Sequence, residues 1–517
     1  MSLKNLPVLT DYDISPVTGF LPAEEPLEVL PDAYFAPWEE TFRHFNGLLL
    51  ASRIRQRVQE VLPASLAVPW QKVADMLEIQ PVLTHAAVVM WNWRLLYKDG
   101  PRDLNNLDTL ATLSGSSDES WFYLVTTAIE ATGAPVLEKI LRSIQLVRND
   151  DPTGLIQELH GIRGIIEELV AVLRRMFEKC DPYVFYWKVR PYLAGWENMA
   201  EAGLPNGVRY EGVDNGEYKK LAGGSAAQSS LIHALDIAFG VEHHPTGFRP
   251  KKNAAGHANG TVNGTVNGTA NGTANGTANG TANGVAHGTP NGTANGIAGA
   301  KTTQPHNSYN DSSEMTAAKS PEKGTGSTSN NFIQKMRFYM PGPHRNFLTH
   351  LTEVANIRKF VTDKSSLKAN GHGSAEIDQL ITVFDECVHQ IKVFRDVHIQ
   401  MVTLYIVMQA NRGPSISHGG FAPQAHAQRA EVNGVEKSAA KGEQPGPSSK
   451  GSSILYPQKI IFGAPHGLAK KQEEGNDVVR GTGGTDLIPF LRQSRDETNE
   501  SKIVPTPTFA RRKSSVA

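Results

Sequence analysis

TGLIQELHGIRGIIEELVAVLRRMFE, residues 153–178, decides the fold class. Leu155, Leu159, Ile162, Ile166, Leu169, Leu173 and Met176 recur at spacings of four and three. Glu158, Arg163, Glu167, Arg174 and Arg175 fall on the other face. That period predicts an amphipathic helix with one buried stripe. Residues 375–409 repeat the pattern at greater length, with Leu380, Phe384, Cys387, Ile391, Phe394, Met401, Val402 and Tyr405 apolar. Such a helix spans about 50 Å at roughly 1.5 Å per residue. The pattern is helical from Asp118 onward, so the chain is expected to be mainly α. Upstream, a helix is predicted from Pro37 to the Leu-Pro at 62–63, a shorter one near Gln71–Leu77, then an apolar stretch at 81–97. The turn Lys98-Asp-Gly-Pro101 is the best boundary between the two regions.

Two segments look unable to fold. Residues 259–296 repeat NGTA or NGTV with few departures, and 251–330 contain a single aromatic, Tyr309. Asn and Gly disfavour helix and strand interiors, so nothing there fills a core. The insertions are expected to be disordered over 241–330 and 411–478, with a disordered tail at 496–517. That leaves about 335 residues for a core, enough for one large or two unequal domains. Fifty-one Lys+Arg balance 52 Asp+Glu, which gives no electrostatic case for nucleic acid or an anionic membrane. Two cysteines, Cys180 and Cys387, exclude a disulfide framework and a Cys-rich zinc site and fit a reducing compartment. No secretory leader or run of about 18 apolar residues is found, so a cytoplasmic protein is expected.

The common catalytic signatures are absent: no HExxH, no CxxC, no phosphate-binding G-x-x-x-x-G-K-[ST]. GTGGTD at 481–486 is no dinucleotide fingerprint; it reads as a loop capped by a helix. The tandem His243-His244 reads as a solvated turn rather than a metal site. His398 falls on the apolar face of the long helix. It is either a core histidine hydrogen-bonded to a neighbour or an axial ligand to haem iron. Arg190 lies inside the aromatic cluster PYVFYWKVRPYLAGW. Stacking on a ring and bidentate grip of a carboxylate both suit a guanidinium there. Phe122 and Phe185 are core aromatics on pattern alone. The small residues of AGGSAA at 222–227 either start a helix or let backbone approach a flat ligand.

Together, LAVPWQKVADML, PVLTHAAVVMWNW, FYLVTTAIEATGAP, DPYVFYWKVRPYLAGWE, YEGV, AGGSAAQSS, MRFYMPGPHRNFL, FRDVHIQMVTLYI and GTGGTDL resemble the indoleamine 2,3-dioxygenase family. They stand in family order from about residue 20 to 495 and cover nearly all of the foldable chain. The resemblance implies a large all-helical haem domain at 101–495 beneath a small N-terminal α+β domain at 1–100. It implies haem b as cofactor, with L-tryptophan and O₂ as partners. The implied product is N-formylkynurenine, the first step of the kynurenine route towards NAD. A monomer with neither nucleic-acid nor membrane partner is expected.

Residue by residue, the resemblance makes His398 the proximal iron ligand. Phe122 and Phe185 would wall the indole, and Arg190 would bind the substrate carboxylate. Gly224, Ser225 and Ala226 would lie over the haem, and Thr482 would help hold the amino-acid end. Arg395 would sit near a haem propionate, supported by Asp236. Thr126 stands where the mammalian-type motif has serine, and its methyl group would narrow the pocket. The alternative is a catalytically weak haem-binding or helical interaction protein of the same fold.

Overall fold

A computed structural model describes residues 4–28, 36, 60–197, 199, 204–248, 331–369, 373–412, 470–473 and 476–504. The helix predicted between Pro37 and residue 62 falls almost entirely outside these residues, as does the NGTA repeat.

The chain is mainly helical. Helix α1 covers Ala64–Met76. Helices α2 (Ser117–Gly133), α3 (Pro135–Arg148) and α4 (Pro152–Arg174) follow in close succession. Helix α5 (Ser230–Ala238) precedes the first insertion, and α6 (Gly342–Val354), α7 (Ile357–Ala369) and α8 (Ala375–Val402) follow it. The last, α9, is Leu487–Glu500.

Local chemistry starts four of these helices. Ser116, Asp151, Ser229 and Ser374 each accept a hydrogen bond from a first-turn amide of α2, α4, α5 and α8. These side chains satisfy donors that the helix leaves unpaired. Pro152 fills the first position of α4, where its missing N–H costs nothing.

The stripe quoted above is buried: Leu155, Leu159, Ile162, Ile166, Leu169, Leu173 and Met176 are each 4% exposed or less. It packs along α8, whose buried Ile377, Leu380, Phe384, Cys387 and Ile391 belong to the same core. The Cys387 thiol donates to the Leu159 carbonyl at 3.2 Å, and Arg163 pairs with Glu386 at 2.8 Å. The predicted long helix continues past Val402 through one widened turn, Thr403–Val407, to Arg412.

Strands are short. β1 (Val61–Leu62) runs parallel to β4 (Val208–Tyr210), which pairs antiparallel with β5 (Tyr218–Lys219). β2 (Arg94–Leu95) and β3 (Leu107–Asp108) flank the Lys98–Pro101 turn as a hairpin. This hairpin and the β1–β4 pair both bridge the expected boundary near residue 100. Leu9, Ile14, Phe20 and Leu21 share one core with the helices beyond it.

Three expectations change. Strands β6 (Lys470–Glu473) and β7 (Asn476–Val479) form an antiparallel hairpin inside the segment expected to be disordered at 411–478. Residues 241–248 pack against α9 rather than opening the 241–330 insertion. Helix α9 runs five residues into the expected 496–517 tail. Its buried C-terminal positions are polar (Ser494, Glu497 and Thr498), so hydrophobic pattern gives no sign of it.

Candidate active site

A cavity lies beside the end of α8, lined mainly by apolar side chains. His398, Met401, Val402, Tyr405 and Ile406 line it from the long helix and its widened turn. Phe122 comes from α2, and Phe185 from a second widened turn at Phe185–Val189. Such one-turn widenings redirect side chains and recur at functional sites. The Phe122 and Phe185 ring centroids are 4.7 Å apart, with planes tilted by 45°. Tyr405 meets the Phe185 edge at 5.7 Å and anchors its hydroxyl on the Cys180 carbonyl at 2.6 Å.

Arg190 reaches the cavity from Arg190–Leu193 and is only 2% exposed. Burial lowers the pKa of its guanidinium. One nitrogen donates to the Arg480 carbonyl at 2.9 Å, and the Tyr186 ring lies 5.9 Å from the group. His398 makes no hydrogen bond among the described residues. Burial first, then the Arg395 charge, pushes its imidazole down to about 4, leaving a neutral ring with a free lone pair at neutral pH.

Two loops complete the wall. Gly224, Ser225, Ala226 and Ala227 come from one; Gly481, Thr482, Gly483 and Thr485 come from the other. They are joined directly. The Thr482 hydroxyl donates to the Gly224 carbonyl at 2.7 Å, and the Gly223 amide donates to the Thr482 carbonyl at 3.2 Å. Gly223 is fixed from behind by Gly195. A Cβ on Gly223 would drive into the Leu193 carbonyl, and one on Gly195 into that of Leu221. The two glycines let backbone lie on backbone, with Trp196 donating to the Leu221 carbonyl at 2.7 Å. Gln228 is a buried strut: its amide donates to the Gly223 carbonyl and its oxygen accepts from the His85 amide, both at 2.9 Å.

Not every expected site residue lines the cavity. Thr126 turns its hydroxyl to the Phe122 carbonyl at 2.9 Å and is absent from the wall. Asp236 and Arg395 lie behind it as an ion pair, with one guanidinium nitrogen 2.9 and 2.7 Å from the two carboxylate oxygens. His243 is no solvated turn. Its side chain is 6% exposed and sits between Asp236 at 3.0 Å and Glu497 at 2.8 Å. Sequence reading also missed Gln228, Gly195 and Gly223, whose only signal was a lone amide and glycines in otherwise small-residue or aromatic runs.

The indoleamine 2,3-dioxygenase family model matches residues 8–61 and 56–501. The chain belongs to the indoleamine 2,3-dioxygenase family. It is 30% identical to the indoleamine 2,3-dioxygenase of Saccharomyces cerevisiae, covering 96% of this chain and 94% of that protein. Identity is 24% to indoleamine 2,3-dioxygenase 1 of Rattus norvegicus, with 96% of each covered. It is 26% to the 6-hydroxytryptophan 2,3-dioxygenase of Fusarium equiseti, over 77% of this chain and 85% of that protein. Indoleamine 2,3-dioxygenases are haem-dependent oxidoreductases. Among the described residues, no helix is long and apolar enough to cross a membrane.

Proposed function

We propose that the chain opens the indole ring of L-tryptophan with O₂, giving N-formylkynurenine. Both oxygen atoms enter the product as the C2–C3 bond breaks. The observation that carries this reading is His398. It is a neutral imidazole, without a hydrogen-bond partner among the described residues, lining the same apolar cavity as Phe122, Phe185 and Arg190.

The cavity's chemistry fits haem b. The macrocycle needs apolar walls, a small-residue approach and one nitrogen ligand, and this wall offers Gly224, Ser225, Ala226 and His398. When bound, haem supplies the ferrous iron that takes up O₂. His398 would hold the iron through its free lone pair. Phe122 and Phe185, already in contact, would part or slide to sandwich the indole and fix its plane. Arg190 would grip the carboxylate, a contact strengthened by the dry surroundings. Thr482 would close over the amino-acid end while its hydroxyl stays on the Gly224 carbonyl. The apolar wall would also exclude water from the reacting ring.

The test is turnover. Reduced, haem-loaded protein is incubated with L-tryptophan and O₂, with 6-hydroxytryptophan in parallel, because a relative is named for that substrate. N-formylkynurenine from L-tryptophan, and loss of both the Soret band and product in His398→Ala, are the expected results. A full Soret band in His398→Ala would remove the histidine as ligand. Turnover of the hydroxylated indole alone would move the chain to a different substrate.

A further inference from the structure

Behind the cavity lies a buried charge cluster in which the family resemblance gives a role to Asp236 and Arg395 but none to His243 or Glu497. Asp236 comes from α5, the helix that follows the 222–227 loop. Arg395 comes from α8, one turn before His398. Glu497 comes from α9, the helix that follows the GTGG turn. His243 joins them. Its Nε2 lies 3.0 Å from Asp236 Oδ2 and its Nδ1 lies 2.8 Å from Glu497 Oε2. The four side chains are between 6% and 11% exposed.

With Asp236 and Glu497 both ionised, as their lowered pKa values indicate, the geometry fixes the charge state of the imidazole. A neutral imidazole has one N–H and would turn a lone pair toward one of the carboxylates. Only the imidazolium donates to both. The remaining lone pairs are also used. Arg395 bonds both oxygens of Asp236, while Gln493 and the His244 amide donate to Glu497 Oε1 at 2.8 and 3.0 Å. Arg395 also donates to Thr498 of α9. The cluster does not form a metal-binding group among the described residues. It is a tie between helices.

Those helices carry the two loops that close the cavity. The loops touch through Thr482 with Gly223 and Gly224, and their helices are tied again at His243. We propose that His243 is a positioning residue: as an imidazolium it locks α9 to α5, and so holds the GTGG turn against the Gly223–Gly224 loop. This deepens the reading of the site given above and rests on it only for its kinetic consequence.

The full-length, haem-loaded chain is compared with His243→Gln and with the double variant His243→Gln/Glu497→Gln by hydrogen–deuterium exchange. In H243Q, peptides spanning 480–493 are expected to exchange about tenfold faster, with α4 peptides unchanged. The double variant, which removes the stranded carboxylate charge, recovers most of the protection. Under turnover, H243Q raises the tryptophan KM about tenfold and leaves kcat within about twofold.

Exchange of 480–493 within about twofold of the parent, or an equal loss spread over α4, overturns the lock. Should H243Q not fold, the parent chain decides. Asp236 and His233 on α5, Glu497 on α9, Arg395 on α8 and neighbouring His244 surround the imidazole. Burial first, and the Arg395 charge with it, lowers its pKa, but the two carboxylates raise it above the ordinary value. The lock is therefore complete below the ordinary histidine range and is lost as pH rises through the raised value. Exchange of 480–493, corrected for intrinsic rate, must accelerate there; a flat profile overturns the proposal. Because exchange needs no turnover, a chain inactive on tryptophan would sink the proposed function and leave this test intact.

Discussion

Arg190 carries a full charge in a wall of rings and aliphatic chains, and burial works against it. In the proposed reading the substrate carboxylate meets that charge. A hydrogen bond to a charged group is worth about 1.5–3 kcal/mol. Arg190→Ala is therefore expected to raise the tryptophan KM about tenfold to a hundredfold, with haem content unchanged, as read from steady-state kinetics and the Soret absorbance. An unchanged KM would return Arg190 to a stacking role on Tyr186. At this scale the sequence was partly legible. His398 was visible as a polar residue on an apolar helical face, but spacing alone left its role open. The proximal-ligand role is what the family resemblance implies, and the proposed function rests on it. His243 was misread because its neighbours in sequence are polar and one of its two carboxylate partners, Glu497, stands 254 residues away. No local pattern can report such a contact.

Among elements, the long helices were the clearest part of the sequence, because their buried stripes keep one period over 23 residues in α4 and 28 in α8. β6 and β7 were hidden, since KKQEEGNDVV has no apolar alternation and its pairing is a backbone matter. The end of α9 was hidden by its polar buried face. The loop at 222–227 was read as small residues approaching a ligand, but its glycine also serves the protein. Gly223→Ala would force Cβ into the Leu193 carbonyl, which is backbone and cannot swing away. A loss of about 2–4 kcal/mol is expected in denaturant unfolding, with weaker haem retention. Gly164 of α4 is the contrast, with open space where a Cβ would go. Gly164→Ala should gain about 0.5–1 kcal/mol, because alanine is the better helix former. A gain at position 223 would mean that the two backbones are not in contact.

For the whole molecule, the decisive feature is where the first insertion leaves and rejoins. The Asn331 side-chain amide donates to the His243 carbonyl, so the two ends of the insertion meet. Closure entropy grows only slowly with loop length. Replacing 250–328 by a short Gly/Ser linker should shift the melting temperature by no more than about 3 °C and leave haem binding intact. A large drop in calorimetry would mean that the segment packs on the rest. The same meeting of ends has another consequence. Phe122, Phe185, Arg190 and Gly224 precede the insertion, while His398 and Thr482 follow it. A single peptide-bond cut within the NGTA tract would leave one fragment with the aromatic and arginine wall and another with the imidazole. The cavity would then be a subunit interface, and recovery of haem colour on mixing two separately made fragments would report their assembly.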